Sequence, residues 1–271
     1  MSAPTADSHN TSSNHPGMAV VTGASSGIGE VYAQRLAERG HDLLLVARRH
    51  DRLAALQKQL SDQHGTRVEI VRTDLSLSEQ ITQLAGRIAK LPTLSMLVNN
   101  AGFGTLGNFV DVRLERHRAM LQVHVMAIAE LTYAALPVML ANRRGHIINV
   151  SSMSAYLVGP GQVTYAASKS FVKSFSESLQ AELRGTGVDV QALCPGMTRT
   201  GFHDTSDFVG FDRSQMPRGL WMDSEGVVAA SLRRLGGRRA VCVPGIRNKI
   251  LAGLFGFGPI RALTGSVVRK K

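Results

Sequence analysis

From residue 18 onward the chain alternates short, unbroken apolar runs with longer amphipathic stretches: "MAVVT" then 27–39, "DLLLVA" then 50–64, "RVEIV" then 76–90, and "LSMLV" then 113–141. The rhythm continues through "HIINV", a helical stretch over about 163–184, "VDVQAL", a helix over about 224–235, and "AVCV". Strands that are apolar at nearly every residue are buried on both faces, which calls for helices above and below and hence a parallel sheet. The pattern predicts an α/β fold: a single-domain, doubly wound parallel sheet of about seven strands with helices on both faces. A chain of 271 residues, 44% of them apolar, can fill one such core. Ligands of these sheets bind beyond the carboxyl ends of the strands, so the residues that directly follow each strand carry the functional reading.

The opening "MSAPTADSHNTSSNHPG" is polar and has neither a basic nor an apolar leader segment, so 1–17 is expected to be a disordered tail ahead of a domain over 18–245. No run of 18 apolar residues occurs. Cys194 and Cys242 stand far apart without metal-ligand spacing, so neither a zinc site nor a disulfide framework is expected. A reducing, cytoplasmic setting fits that usage. The net charge is +11, yet the 31 Lys and Arg are scattered apart from short groups such as Arg48-Arg49, Arg143-Arg144 and the final "VVRKK". This distribution predicts a basic surface rather than a dedicated nucleic-acid reader. Residues 246–271 mix apolar and basic side chains, and Gly253, Gly256, Gly258 and Pro259 weaken any long helix there. Covering a substrate cleft, joining an oligomer interface, peripheral membrane contact and plain packing are all open to this extension.

Directly after the first strand comes "TGASSGIGE", with Gly23, Gly27 and Gly29 leading into a helix. Glycines let the backbone turn tightly and approach a pyrophosphate, whose charge is favoured by free N–H groups at a helix start. A purely structural strand-to-helix corner is the alternative. The second strand ends in "VARR": where an NAD site usually offers an acid to the ribose hydroxyls, this chain has Ala47, Arg48 and Arg49. Guanidinium groups suit the extra 2′-phosphate of NADP, which an acid would repel, so NADP(H) is the expected cofactor. Asp74 in "TDLS" can bond an adenine amino group or cap the following helix. In "NNAG", Asn99 and Asn100 can bond neighbouring strand ends and present backbone to the cofactor, although turn chemistry also explains Asn and Gly here.

Tyr165 and Lys169 in "YAASK" share one face of a predicted helix, either as an acid and its cation or as a surface pair. In order, "TGASSGIG", "NNAG", the serines at 151 and 152, "YAASK" and "PGMTRT" each fall at a predicted strand end or helix start. Together they resemble the short-chain dehydrogenase/reductase family over about residues 18–245. The resemblance implies one Rossmann domain, a nicotinamide cofactor, hydride transfer between a carbonyl and an alcohol, and a homodimer or homotetramer built on the helices carrying His124 and Tyr165. It makes Tyr165 the proton donor and Lys169 the residue that holds the nicotinamide ribose and assists the phenol. Ser152, thirteen residues before Tyr165, would bond the substrate oxygen, and Ser151 fits that spacing less well. Thr200 would bond the nicotinamide carboxamide. Cofactor contacts are expected from Gly23, Ser25, Ser26, Gly27, Ile28, Gly29, Arg48, Arg49, Asp74, Leu75, Asn99, Asn100, Tyr165, Lys169 and Thr200. A free phenol has a pKa of about 10, and both Lys169 and the positive nicotinamide of the oxidised cofactor would lower it.

The segment "LQVHVMAIAEL" places His124 where the family usually carries an asparagine that bends the helix and holds a water leading protons to the lysine. An imidazole that supports this relay and titrates near neutral pH is one expectation; a packed histidine outside the proton path is the other. Residues 201–223 correspond to a substrate-covering loop, and its Phe202, Phe208, Phe211, Met216, Leu220, Trp221 and Met222 suit an apolar substrate or anchor the loop to the core. A catalytically weak NADP-binding sensor or scaffold is the alternative function, favoured by His124 alone.

Overall fold

The computed structural model describes residues 15–204, 208, 217–237 and 239–256. Most of the expected tail, part of the substrate-covering loop with Phe211 and Met216, and residues 257–271 lie outside these described residues. Seven strands form one parallel sheet: β1 (Met18–Thr22), β2 (Asp42–Ala47), β3 (Val68–Arg72), β4 (Leu94–Asn99), β5 (Gly145–Val150), β6 (Val188–Leu193) and β7 (Val241–Cys242). Their order is β3-β2-β1-β4-β5-β6-β7, and every pair is parallel. The chain leaves β1 towards β2 on one side and comes back to β4 on the other. The connections that leave β1 and β4 therefore run to opposite faces of the sheet, the switch point at which such sheets take ligands.

Helices cover both faces, as the apolar strands require. On one face α1 (Gly27–Ala37), α2 (His50–His64) and α7 (Ser224–Leu232) bury Tyr32, Leu36, Leu53, Leu60 and Val227 against Val21, Leu43, Leu45 and Val98. On the other, α3 (Ser78–Ile88), α5 (Ala127–Ala141) and α6 (Val163–Glu182) cover Val20, Leu44, Leu97 and Ile147 with Ile81, Leu131, Met139 and Leu183 near their ends. Alternate strand residues serve opposite faces, and each fully buried Leu or Ile contributes roughly 1.5–3 kcal/mol. Buried polar groups link the elements: the Tyr32 hydroxyl donates to Ser231 at 2.6 Å, and Ser231 donates onward to Gln191, tying α1 to α7 and β6.

Helix α4 (Leu114–Leu121) runs into α5 through a π-helical turn, Gln122–Met126, with His124 at its centre. The joined stretch Leu114–Ala141 is apolar and long enough by composition to cross a bilayer, but its inner face is committed to the sheet core through Val123, Ala127, Leu131, Ala135 and Met139. Helix α8 (Ile246–Gly256) forms despite its glycines, because Gly253 faces open space while Ala252 packs against the cluster that includes Met153 and Tyr156.

His41, between α1 and β2, is buried and meets the Gly17 carbonyl through Nδ1 at 3.2 Å. Burial pushes its imidazole down to about 4 against the pull of that carbonyl, and Arg144 and Arg39 add to the depression. The unfolded chain binds a proton at His41 near pH 6.5 while the folded chain does not, so the neutral ring is stable above that pH and costs stability below it. Unfolding free energy is expected to fall as pH drops from about 6.5 to 4, by up to about 1.4 kcal/mol per pH unit from this residue. Urea titrations across that range should show a shallower fall for His41→Gln; an unchanged slope would contradict the assignment.

Candidate active site at the carboxyl edge of the sheet

The glycine turn follows β1 directly at this switch point. Gly23 and Gly27 both have positive φ, +66° and +61°, where a Cβ is strained. A Cβ at Gly29 would stand 2.4 Å from the Gly23 carbonyl oxygen and 2.4 Å from Asn100 Nδ2. Asn100 secures the arrangement by donating to the carbonyls of Thr22 and Gly23 at 2.9 and 3.3 Å. Ser26 is the N-cap of α1, yet its side chain makes no capping hydrogen bond. The first-turn N–H groups thus lack a side-chain cap and face the glycine turn, the arrangement that receives a phosphate. These residues fit a dinucleotide.

The Ser25 and Ser26 hydroxyls serve another partner. Arg49 donates to Ser25 Oγ at 2.9 Å and to Ser26 Oγ at 2.7 Å, which lays its guanidinium over the glycine turn. Arg48 is exposed and 4.0 Å from Asp74 Oδ2. Asp74 Oδ1 accepts from the Ser76 N–H and hydroxyl at 3.0 and 2.7 Å, so this carboxylate shapes the turn before α3. Burial acts to raise its pKa, but the Ser76 bonds and Arg48 outweigh it and the net shift is downward.

Three expected cofactor residues have side chains directed elsewhere. Ile28 packs on the core, Leu75 is buried within it, and the Asn99 amide donates to Asn149 Oδ1 at 2.9 Å and Thr132 Oγ1 at 3.3 Å. At the buried Leu75 and Asn99 this leaves the backbone to meet a ligand, while Ile28 is only partly buried. Thr200 sits against the start of α1: its methyl carbon would lie 2.9 Å from a Cβ at Gly27, and its hydroxyl accepts from Phe202 N–H at 3.2 Å.

On the β5 side, Ser152 follows the strand and caps a 3₁₀ turn, Met153–Tyr156, by accepting from Ser154 N–H at 3.0 Å. Ser151 is instead structural, its hydroxyl donating to the Lys169 carbonyl at 2.7 Å. Tyr165 and Lys169 rise from the first turns of α6. Burial pushes the phenol up to about 12, and the hydrogen bond with Ser152 pulls the other way. Burial outweighs the lowering expected from Lys169, which is directed elsewhere. Lys169 Nζ donates to the Val150 carbonyl at 2.9 Å and stands 5.7 Å from the Tyr165 ring centroid, while desolvation lowers its own pKa to about 8.

His124 is fully buried, and burial together with the Lys169 charge holds its pKa well below the ordinary histidine range. The titration near neutral pH expected for it is therefore not supported by its surroundings. Gly102 and Ser168, passed over as site residues in the sequence, complete this corner. A Cβ at Gly102 would lie 2.8 Å from His124 Nε2 and 3.6 Å from Lys169 Nζ, and Ser168 Oγ is 2.9 Å from His124 Nδ1. The place of Gly102 at the end of "NNAG" and of Ser168 beside the lysine was the signal available.

An aromatic wall stands over the phenol. The Phe202 ring is 5.9 Å from Tyr165 and 5.4 Å from Phe208, and His203 lies 5.6 Å from Trp221. Gly104 admits this wall, since a Cβ there would meet Phe208 Cζ at 2.8 Å and Phe202 Cζ at 3.1 Å.

Gly29→Ala is expected to destabilise the protein by about 1–3 kcal/mol through that backbone clash, whereas Gly86→Ala, in a helix with open space around it, should be neutral or stabilising by about 0.5–1 kcal/mol. Chemical denaturation of both variants checks this, and equal midpoints would contradict the close approach.

Residues 17–207 match the family model described as short chain dehydrogenase. An uncharacterized oxidoreductase of Staphylococcus saprophyticus is 36% identical over 192 residues, 70% of this chain and 82% of that protein. A short-chain dehydrogenase from Sphingobium yanoikuyae, solved in complex with NADPH, is 32% identical with a TM-score of 0.80, covering 94% of this chain and 96% of the other. The bulky-bulky ketone specific alcohol dehydrogenase from Comamonas testosteroni is 27% identical with a TM-score of 0.76, covering 94% and 95%. With its parallel seven-stranded sheet, its glycine turn and its Ser152, Tyr165 and Lys169, the chain belongs to the short-chain dehydrogenase family of oxidoreductases.

Proposed function

We propose that this protein is an NADP(H)-dependent oxidoreductase that interconverts a carbonyl and a secondary alcohol on an apolar substrate. The observation that carries the reading is a buried Tyr165, whose phenol Ser152 acts on, with a buried Lys169 one helical turn further along α6, at the same carboxyl edge of the sheet as the uncapped start of α1. Gly23, Gly27, Gly29, Asn100 and Thr200 would hold the dinucleotide, with Arg49 and Arg48 towards a 2′-phosphate. When bound, the nicotinamide supplies or accepts the hydride.

The chain's own residues manage the proton. Ser152 orients the substrate oxygen and Tyr165 protonates it during reduction. A phenol raised to about 12 by burial is kept protonated and ready to donate. The Lys169 ammonium favours the phenolate that results, as an opposite charge does in a desolvated site. Phe202, Phe208 and Trp221 suit an apolar substrate body, and the NADPH and bulky-ketone relatives support the cofactor and substrate class.

Purified protein given NADPH or NADH with a panel of aldehydes and ketones is expected to prefer NADPH. Tyr165→Phe should lose about 10²–10⁴-fold in turnover. Arg48→Glu/Arg49→Glu should reverse the nucleotide preference. The rate of reduction should decline above about pH 8, as Lys169 loses its proton. Cofactor binding without turnover on any carbonyl would favour the sensor reading instead.

We also propose assembly as a homodimer or homotetramer through the outer faces of α4–α5 and α6. Leu114, Leu121, Met126 and Tyr133 are exposed there, and Phe171 stacks on Phe175 at 5.6 Å. Light scattering should give a dimer or tetramer mass that Tyr133→Glu reduces; a monomeric wild type would exclude it.

A further inference from the structure

The surroundings of His124 assign every proton around its ring. Phe103 N–H points at Nε2 from 3.2 Å. A ring nitrogen that accepts a hydrogen bond carries no proton, so a neutral imidazole here has its single proton on Nδ1. Nδ1 then donates to Ser168 Oγ at 2.9 Å, and Ser168 donates its own proton to the Tyr165 carbonyl at 2.8 Å. Donors and acceptors alternate along the whole path, from the loop after β4 to the backbone of the catalytic tyrosine. Reversing the tautomer would set N–H against N–H at Phe103 and leave a buried donor unsatisfied.

The groups around the ring reinforce this state. The Lys169 ammonium and Tyr165 face it from α6, with the Tyr165 ring 5.8 Å away and edge-on. Backbone of Gly102 and Phe103 closes the loop side, and Arg116 of α4 is held 4.3 Å over the Phe103 ring. A nearby cation and a backbone donor both oppose a second ring proton. The π turn gives His124 its place in the middle of this junction, where one extra residue in the turn redirects the side chains.

We infer that His124 is a positioning residue: a neutral bridge, fixed in the Nδ1–H tautomer, that ties the loop after β4 to the catalytic helix at Tyr165 and Lys169 and takes no part in proton relay. Its bonding stands on geometry alone, while its effect on turnover rests on the function proposed above. Any proton that reaches Lys169 must then travel by a path that bypasses residue 124.

Long-range proton–nitrogen NMR of the histidine-labelled wild type tests the bridge directly, with His124→Gln supplying the assignment. One histidine should show a protonated Nδ1, a bare Nε2, and no titration between about pH 5 and 8. An Nε2–H tautomer, or a titration in that range, would overturn the inference whether or not a substrate is known. Kinetics adds a second arm. His124→Phe should lose roughly 10- to 100-fold in kcat with little change in KM for the nucleotide. His124→Gln, which keeps an acceptor for Phe103 N–H, should recover most of that loss with the wild-type pH profile. A wild-type ionisation near neutrality that both variants lack would identify a relay and refute the bridge. Equal kcat in His124→Phe and the wild type would refute it as well. Absence of turnover in the wild type on every carbonyl would count against the proposed function, and the NMR would still decide the bridge.

Discussion

Thr22, at the carboxyl end of β1, holds together the point on which the site depends. Its hydroxyl donates to the Val98 carbonyl at 3.2 Å and accepts from the Asn100 and Ala101 N–H groups at 2.9 and 3.1 Å. The connections leaving the two strands run to opposite faces here, and Thr22 closes the backbone of one strand end onto the other. Asn100 then reaches back to the Thr22 and Gly23 carbonyls, which fixes the glycine turn and the direction of α1. That tie leads directly into the loop carrying Gly102 and Phe103, whose N–H reaches His124.

Desolvation governs the chemistry of the site more than any single charge. Tyr165, Lys169 and His124 are each displaced towards their neutral forms, with burial the largest cause for all three. A phenol in such a site is a reserve of protons, and a lysine bonded to a main-chain carbonyl keeps a fixed place from which to meet a new anion. The lysine's bond to Val150 also links α6 to the end of β5, the strand that delivers Ser152. One side chain thereby serves both packing and reactivity.

Much of this was legible in the sequence, for identifiable reasons. The seven strands are short and mostly apolar, so both their number and their parallel arrangement could be read from burial on two faces. The glycine turn and the four-residue spacing of Tyr165 and Lys169 are local features, and local features survive into the fold. Long-range partners do not announce themselves. The carbonyl of Val150 that accepts the Lys169 hydrogen bond, and the Ser25 and Ser26 hydroxyls that hold Arg49, depend on which strand ends are neighbours. Ile28, Leu75 and Asn99 sit at the right sequence positions for a ligand, yet strand and helix twist turns their side chains into the core. Helix α8 was obscured by propensity: Gly253 costs helix stability, but docking of Ala252 beside Met153 and Tyr156 outweighs it.

The central claim is that the glycine turn, the aromatic wall and Tyr165 belong to one nucleotide site. The chain's sole tryptophan, Trp221, lies in that wall beside His203 and is therefore a built-in reporter. Titration with NADPH should quench Trp221 emission and raise nicotinamide emission by energy transfer, saturating as the site fills. Tight NADPH binding without transfer from Trp221, or no binding at all, would contradict the account.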